Sequence, residues 1–173
     1  MASGFSGFVV LGDTHHGILL TKDASDTPTN ADDLPTFRVY SGEGYVTGSA
    51  GTVSFLDSGT ITAGTATNPI VLTSASHGLT TGARITVASV GGLVGANGTH
   101  VITKISDNTF SLDGASGSGA YTSGGTWNLT GAYKYTVAAT SGAGYEEGGN
   151  YAVLFRFAIS SVQKGDVDVF GVT

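Results

Sequence analysis

The residue types in this sequence that could do chemistry are four histidines, two adjacent acidic pairs, a short aspartate pair and one glycine-rich run. His15 and His16 are neighbours on an extended segment. Their rings therefore point to opposite faces and cannot share a metal, so a solvated pair beside a strand is expected. His77 lies in a His-Gly turn, where an imidazole can bond a turn carbonyl, and His100 opens a strand. With an acid such as Asp113 these two could form a zinc site, but no close-spaced ligand motif joins them. Asp26, Asn30 and Asp32 come nearest to the alternating oxygen ligands of a calcium loop. The pairs Asp32-Asp33 and Glu146-Glu147 lie in loops, where capping and Asx-turns are the commoner use of such residues. Asp166 and Asp168 share one face of a strand and are expected at a solvated edge.

The run 91–98, Gly-Gly-Leu-Val-Gly-Ala-Asn-Gly, lacks the Gly-Lys-Ser/Thr ending and the following helix of a phosphate loop. Trp127, Tyr133 and Tyr135 could line a sugar-binding surface, and core packing is expected for at least two of them. Asn97-Gly98-Thr99 and Asn128-Leu129-Thr130 fit the glycosylation triplet, a pattern common by chance. The expected inventory is no catalytic residue, no cofactor and no metal.

The elements that must carry these residues are strands. Short runs rich in Val, Ile, Thr, Tyr and Phe alternate with clusters of Gly, Asn, Asp and Ser, and no run keeps an apolar helical period. Strands are predicted over 5–11, 17–22, 36–40, 53–56, 70–73, 84–89, 100–105, 109–112, 126–129, 132–138, 151–159 and 166–172. Alternation is clearest in the segment 151–159, where Tyr151, Val153, Phe155, Phe157 and Ile159 share one face. The opposite face carries Leu154 and Arg156, and such a mixture is expected to be covered in part. Asp107-Asn108 is expected to turn a tight hairpin with positive φ.

Composition bounds the partners. The 173 residues include 28 glycines, no cysteine and only 12% charged residues, with a net charge of −6. Disulfides, thiolate metal sites and cysteine nucleophiles are excluded. Seven Lys and Arg with no basic stretch make nucleic acid an unsuitable partner. No apolar run approaches a membrane span, and the segment 1–13 lacks a basic leader region, so assembly in the cytoplasm without Sec-type export is expected. The region from Ser58 to about Thr130 is richer in Gly, Thr and Ser than its flanks. That contrast predicts a small β-module, 58–130, inserted in one loop of a β-sandwich built from 1–57 plus 131–173.

The pieces Ser76-His77-Gly78-Leu79, Thr81-Gly82, Ile85–Val87, Gly95-Ala96-Asn97-Gly98-Thr99 and Asn108-Thr109-Phe110-Ser111-Leu112 carry a resemblance. Together they are similar to the small β-barrel half-domain of ubiquitin-activating enzymes, a module also found in phage structural proteins. The run Gly119-Ala120-Tyr121-Thr122-Ser123-Gly124-Gly125-Thr126 resembles the tail of the phage version. The resemblance implies a scaffold and no adenylation chemistry, since the catalytic cysteine of those enzymes lies outside the half-domain. In the flanks, Thr27-Pro28-Thr29-Asn30-Ala31-Asp32, the strand Leu34-Pro35-Thr36-Phe37-Arg38-Val39-Tyr40, Gly131-Ala132-Tyr133-Lys134-Tyr135 and Phe170-Gly171-Val172 resemble an immunoglobulin-like module of phage virion proteins.

The fold expectation is therefore all-β, an immunoglobulin-like β-sandwich with a small β-barrel module inserted in one loop. The resemblance implies a non-enzymatic virion structural protein of a tailed phage, located in the virion. A capsid decoration or cement protein comes first, and a tail, neck or fibre-base component or a host-surface or glycan-binding adhesin is the alternative. Its partners would be other virion proteins, major capsid or tail, and further copies of itself as a homo-oligomer, with no nucleic acid and no membrane. The apolar segment Phe5-Ser6-Gly7-Phe8-Val9-Val10-Leu11 is a candidate docking strand, and it serves equally as the first strand of its own sandwich.

Overall fold

A computed structural model describes residues 4–173, and the side chains of 4–6, 47 and 48 lie outside that description. The protein is all-β, with a single 3-10 turn at Ser141–Ala143 among the described residues. The chain divides into two compact units, Met1–Ser54 with Gly131–Thr173, and Phe55–Thr130.

The first unit begins with β1 (Gly4–Val9), β2 (Thr14–Leu20), β3 (Thr36–Ser41) and β4 (Gly44–Thr52), and the two-residue β5 (Ser54–Phe55) lies at the division between units. The second unit contains β6 (Ser58–Thr60), β7 (Ala63–Thr65), β8 (Ile70–Thr73), β9 (Arg84–Ala88), β10 (Gly98–Lys104), β11 (Thr109–Leu112) and β12 (Thr126–Leu129). The chain then returns to the first unit with β13 (Ala132–Ala138), β14 (Asn150–Ile159) and β15 (Val162–Val172).

One sheet of the first unit has the order β1-β15-β14-β3-β4, with β1 parallel to β15 and the other pairs antiparallel. A second sheet is built on the antiparallel β2–β13 pair, with Gly17 opposite Tyr135. Period-2 alternation sorts each strand into an inner and an outer face. In β14 the inner residues Tyr151, Val153, Phe155, Phe157 and Ile159 are all buried, as the sequence pattern predicts. Phe37 and Val39 of β3, Tyr135 and Val137 of β13, and Phe170 and Val172 of β15 are also buried. The surroundings of Gly17 leave no room for a side chain: a Cβ there would lie 2.3 Å from the Tyr135 ring.

The β14–β15 hairpin closes through Ser160 and Ser161, both with positive φ (51° and 62°), between the paired Ile159 and Val162. Two positive φ values in a two-residue loop define the type I′ geometry that matches strand twist. Asp32 holds the turn, accepting the Ser160 N–H at 2.9 Å and the Ser161 N–H at 2.7 Å on its two carboxylate oxygens.

The second unit forms a seven-stranded sheet of order β6-β12-β9-β10-β11-β8-β7. Its two edge strands, β6 and β7, are separated along the chain by Ile61 and Thr62 alone, so the sheet must curl until its edges nearly meet. Ile70, Leu72, Ile85, Val87, Ile102, Phe110, Leu112 and Trp127 fill the interior. The Trp127 indole packs edge-on to Phe110 and donates to the Ser74 hydroxyl at 2.8 Å, so its one polar atom is satisfied inside the core.

Two local expectations are corrected, and one strand, β4, adds to those predicted. The β10–β11 connection is a hairpin, but neither Asp107 nor Asn108 has positive φ. The loop is longer, with the Ile105 and Ser106 N–H groups both donating to Thr109 O, while the Asn108 side chain leaves to accept the Ser76 N–H. β4 carries no strong strand signal because Gly and Ser interrupt it, and its pairing with β3 holds it extended. β15 starts at Val162 rather than at 166, since the Ser160-Ser161 turn folds it directly onto β14.

Candidate functional site

The candidate docking strand forms the edge of its own sheet. β1 pairs on one side with β15, Phe5 opposite Val169 and Val9 opposite Val172, and no strand follows it in the sheet order. Phe5 takes part through its backbone, and its side chain lies outside the described residues. Val9 is buried, Leu11 is half-buried and its N–H donates to Thr173 O at 2.9 Å. Phe8 and Val10 remain 68% and 58% exposed. β2 is likewise the edge of the second sheet, with Ile18 and Leu20 57% and 60% exposed. The first unit thus presents two sheet edges with large apolar side chains in solvent and no charged residue within either strand. Natural sheets normally blunt such edges with charge or proline.

The histidine pair separates as alternation requires, but only His16 is solvated. His15 shares the inner face of β2 with Leu19, and is buried. Its ring stacks on Phe170 at 4.2 Å, and its Nε2 lies 3.3 Å from the Tyr135 hydroxyl and 3.8 Å from an Asp168 carboxylate oxygen. Tyr135 donates a very short hydrogen bond to that same oxygen. The Val169 N–H donates to the other oxygen at 2.8 Å. Burial first, and then the Asp168 carboxylate, push the Tyr135 hydroxyl far above its ordinary range.

Asp168 is consequently not at a solvated edge. β15 lies between β1 and β14, and its inner face at 168, 170 and 172 turns into the sandwich. Burial also raises Tyr133 and Tyr145, whose hydroxyls accept the Ala31 N–H and donate to the Ser49 hydroxyl. Trp127, Tyr133 and Tyr135 are all buried, so none of them lines an open surface.

The remaining polar candidates are taken up locally. His77 accepts the Leu79 N–H on Nδ1 and donates from Nε2 to Ser106 O at 2.9 Å, which places its proton on Nε2. His100 bonds Ala96 O through Nε2, and burial lowers its pKa against the opposing pull of that carbonyl. Asp113 accepts from Thr103. Asp23 forms an Asx-turn, accepting the Ser25 and Thr27 N–H groups. Asp26 pairs with Lys22, and Asn30 accepts the Gly131 N–H at 2.7 Å. Asp33, Glu146 and Glu147 are exposed. In the run 91–98, Asn97 grips the Val90 backbone with both ends of its amide, and a Cβ at Gly92 would meet Ala120 O at 2.2 Å. That loop is a packing device. Among the described residues no three His, Asp or Glu side chains come together as a metal-binding group. No helix among them is long and apolar enough to cross a membrane.

The sequence reading missed the outer face of the five-stranded sheet as a surface. Leu154 there is 39% exposed and Ala152 and Ala158 are half-buried, so the face is covered only in part, and Arg38 and Arg156 are both exposed. The available signal was the shared period of β3 and β14, which puts 36, 38 and 40 beside 152, 154 and 156.

Residues 68–130 match the family described as the ubiquitin-activating enzyme E1 FCCH domain, the half-domain resembled by the motifs above. The match falls within the second unit and covers less than half of the chain. No curated protein matches the chain.

Proposed function

We propose that the protein is a non-enzymatic structural component of a tailed-phage particle that works by self-association and docking, with capsid decoration as the leading role. The observation that carries this reading is the open edge of β1, with Phe8 and Val10 in solvent, together with the apolar edge β2. An open edge offers a row of backbone donors and acceptors to another strand, and flanking apolar side chains add burial to that pairing. The structural reading is also supported by the polar residues themselves. His77, His100, Asn97 and Asp23 each bond backbone close to them in sequence, and Asp32 bonds the distant Ser160-Ser161 turn, an arrangement that builds turns.

The topology of the first unit supports an immunoglobulin-like host. A sheet of order β1-β15-β14-β3-β4 faced by the β2–β13 pair corresponds to the A′GFCC′ and BE strands of such sandwiches. Tyr151, at the start of β14, accepts the Glu146 N–H at 2.7 Å, as the tyrosine corner of that fold does. The phage setting rests on the resemblance of the 119–126 run and the flanking motifs, and head location on the expectation of lattice reinforcement by apolar burial.

Sedimentation velocity across a concentration series tests the self-association. The wild-type chain is expected to form oligomers that Val10→Lys combined with Ile18→Lys converts to a folded monomer. A wild-type chain that stays monomeric at all concentrations, or oligomers indifferent to both substitutions, would refute edge-mediated assembly.

A further inference from the structure

The outer face of the five-stranded sheet has an electrostatic character unlike the rest of the chain. The register sets Arg38 opposite Leu154 and Thr36 opposite Arg156, so the two arginines are diagonal neighbours on one face. Like charges so placed repel. The chain holds 13 acidic residues against seven Lys and Arg, so carboxylates to pair with them are not scarce. Yet among the described residues neither arginine has a carboxylate within ion-pair distance. Arg38 lies over the Tyr45 ring at 5.7 Å. Asp33, which lines the hollow on the other side of Arg156, makes no ion pair with it. Between the arginines is a hollow of about 330 Å³ lined by Thr36, Arg38, Tyr40, Ala50, Leu154 and Arg156. Val167, opposite Leu154 on β15, extends the apolar surface beside it.

We infer that this face docks an acidic polypeptide segment from a second protein, one that alternates carboxylates with apolar side chains. The carboxylates would bridge Arg38 and Arg156, and the apolar residues would cover Leu154 and Val167. Charge complementarity selects this occupant. A second copy docked face to face about a two-fold axis would bring two cationic faces together with no carboxylate between them, because the same patch is used by both copies. A nucleic acid would meet two cations here and a chain of net charge −6. An isolated small anion would leave Leu154 and Val167 exposed. The inference deepens the docking half of the proposed function. Its test uses no particle, so either can fail while the other stands.

The probe is a short fluorescein-labelled peptide alternating Glu and Leu, titrated with the full chain by fluorescence anisotropy at low salt. Saturable binding is expected, weakening as salt rises. Arg38→Gln and Arg156→Gln should each weaken it about five-fold, the upper range for an exposed ion pair. Lys134→Gln, which removes an exposed cation from the other sheet, should leave it unchanged. Arg156→Gln should melt at or above the wild-type temperature, since it relieves the repulsion, and Arg38→Gln, which also gives up the Tyr45 contact, should melt within a few degrees of it; this separates lost docking from lost folding. Absence of binding, or an equal loss in Lys134→Gln, overturns the inference. Equal binding of a Leu-free oligoglutamate reassigns the face to any polyanion and overturns it, and so does dimerisation that Arg38→Gln abolishes.

Discussion

Tyr135→Phe removes one oxygen atom from the interior of the first unit and is predicted to cost far more than its size suggests. The Tyr135 hydroxyl donates to an Asp168 oxygen, and His15 Nε2 lies 3.8 Å from the same oxygen. The ring itself would stay, since it packs edge-on to Phe155 at 4.9 Å and tilted against Phe37 at 5.5 Å. A hydrogen bond to a charged acceptor contributes about 1.5–3 kcal/mol, and a buried group left unpaired adds about 1–3 kcal/mol. The Val169 N–H still holds the other carboxylate oxygen, so a total near 2–4 kcal/mol is expected rather than the full sum.

The assay is urea unfolding followed by far-ultraviolet circular dichroism, with hydrogen exchange to localise the loss to β2, β13 and β15. The single tryptophan, Trp127, lies in the second unit, so its fluorescence reports that unit separately and should change little. Adding Asp168→Asn to Tyr135→Phe should return about 1 kcal/mol or more, because the carboxylate charge that lost its hydroxyl donor is then gone. A loss below about 0.5 kcal/mol, or no recovery in the double variant, would refute the view that Tyr135 satisfies a partly buried carboxylate.

Asp32→Ala should destabilise the β14–β15 hairpin by about 1–2 kcal/mol, because two charge-assisted bonds to the turn are lost. Ser161→Gly should stabilise it by about 0.5–1 kcal/mol by relieving a positive φ, and thermal melts of both variants check the pair. Alkaline pH should unfold the first unit. Tyr133, Tyr135 and Tyr145 all have pKa values raised above those of the unfolded chain, so the fold favours their protonated forms. That stability is complete below about pH 10 and is lost above it, at up to about 1.4 kcal/mol per pH unit for each tyrosine. Absorbance at the phenolate band should rise together with the loss of circular dichroism. Separate ionisation of all three with the fold intact would contradict their burial.

The strands were legible because they depend on local pattern. Tyr151 through Ile159 alternates cleanly, and its inner face is buried residue for residue. The second unit was legible from motif pieces between 76 and 112, where turns are fixed by nearby residues such as Asn97 on Val90 and His77 on Leu79. What escaped depends on partners distant in sequence. His15 and Asp168 look like surface residues until Tyr135 and Phe170 are placed against them. Ser160-Ser161 carries no glycine or asparagine signal because Asp32, far upstream, stabilises the turn in their place. Arg38 and Arg156 become a pair only through the β3–β14 register, which no local window contains.

We propose that this chain is a structural part of a phage particle. Its copy number in purified virions, counted by quantitative mass spectrometry against the major capsid protein, tests that most directly. A stable component present in hundreds of copies is expected, in keeping with a lattice-reinforcing role on the shell. A dozen copies or fewer would move the protein to the tail or neck, and its absence from purified particles would contradict the account altogether.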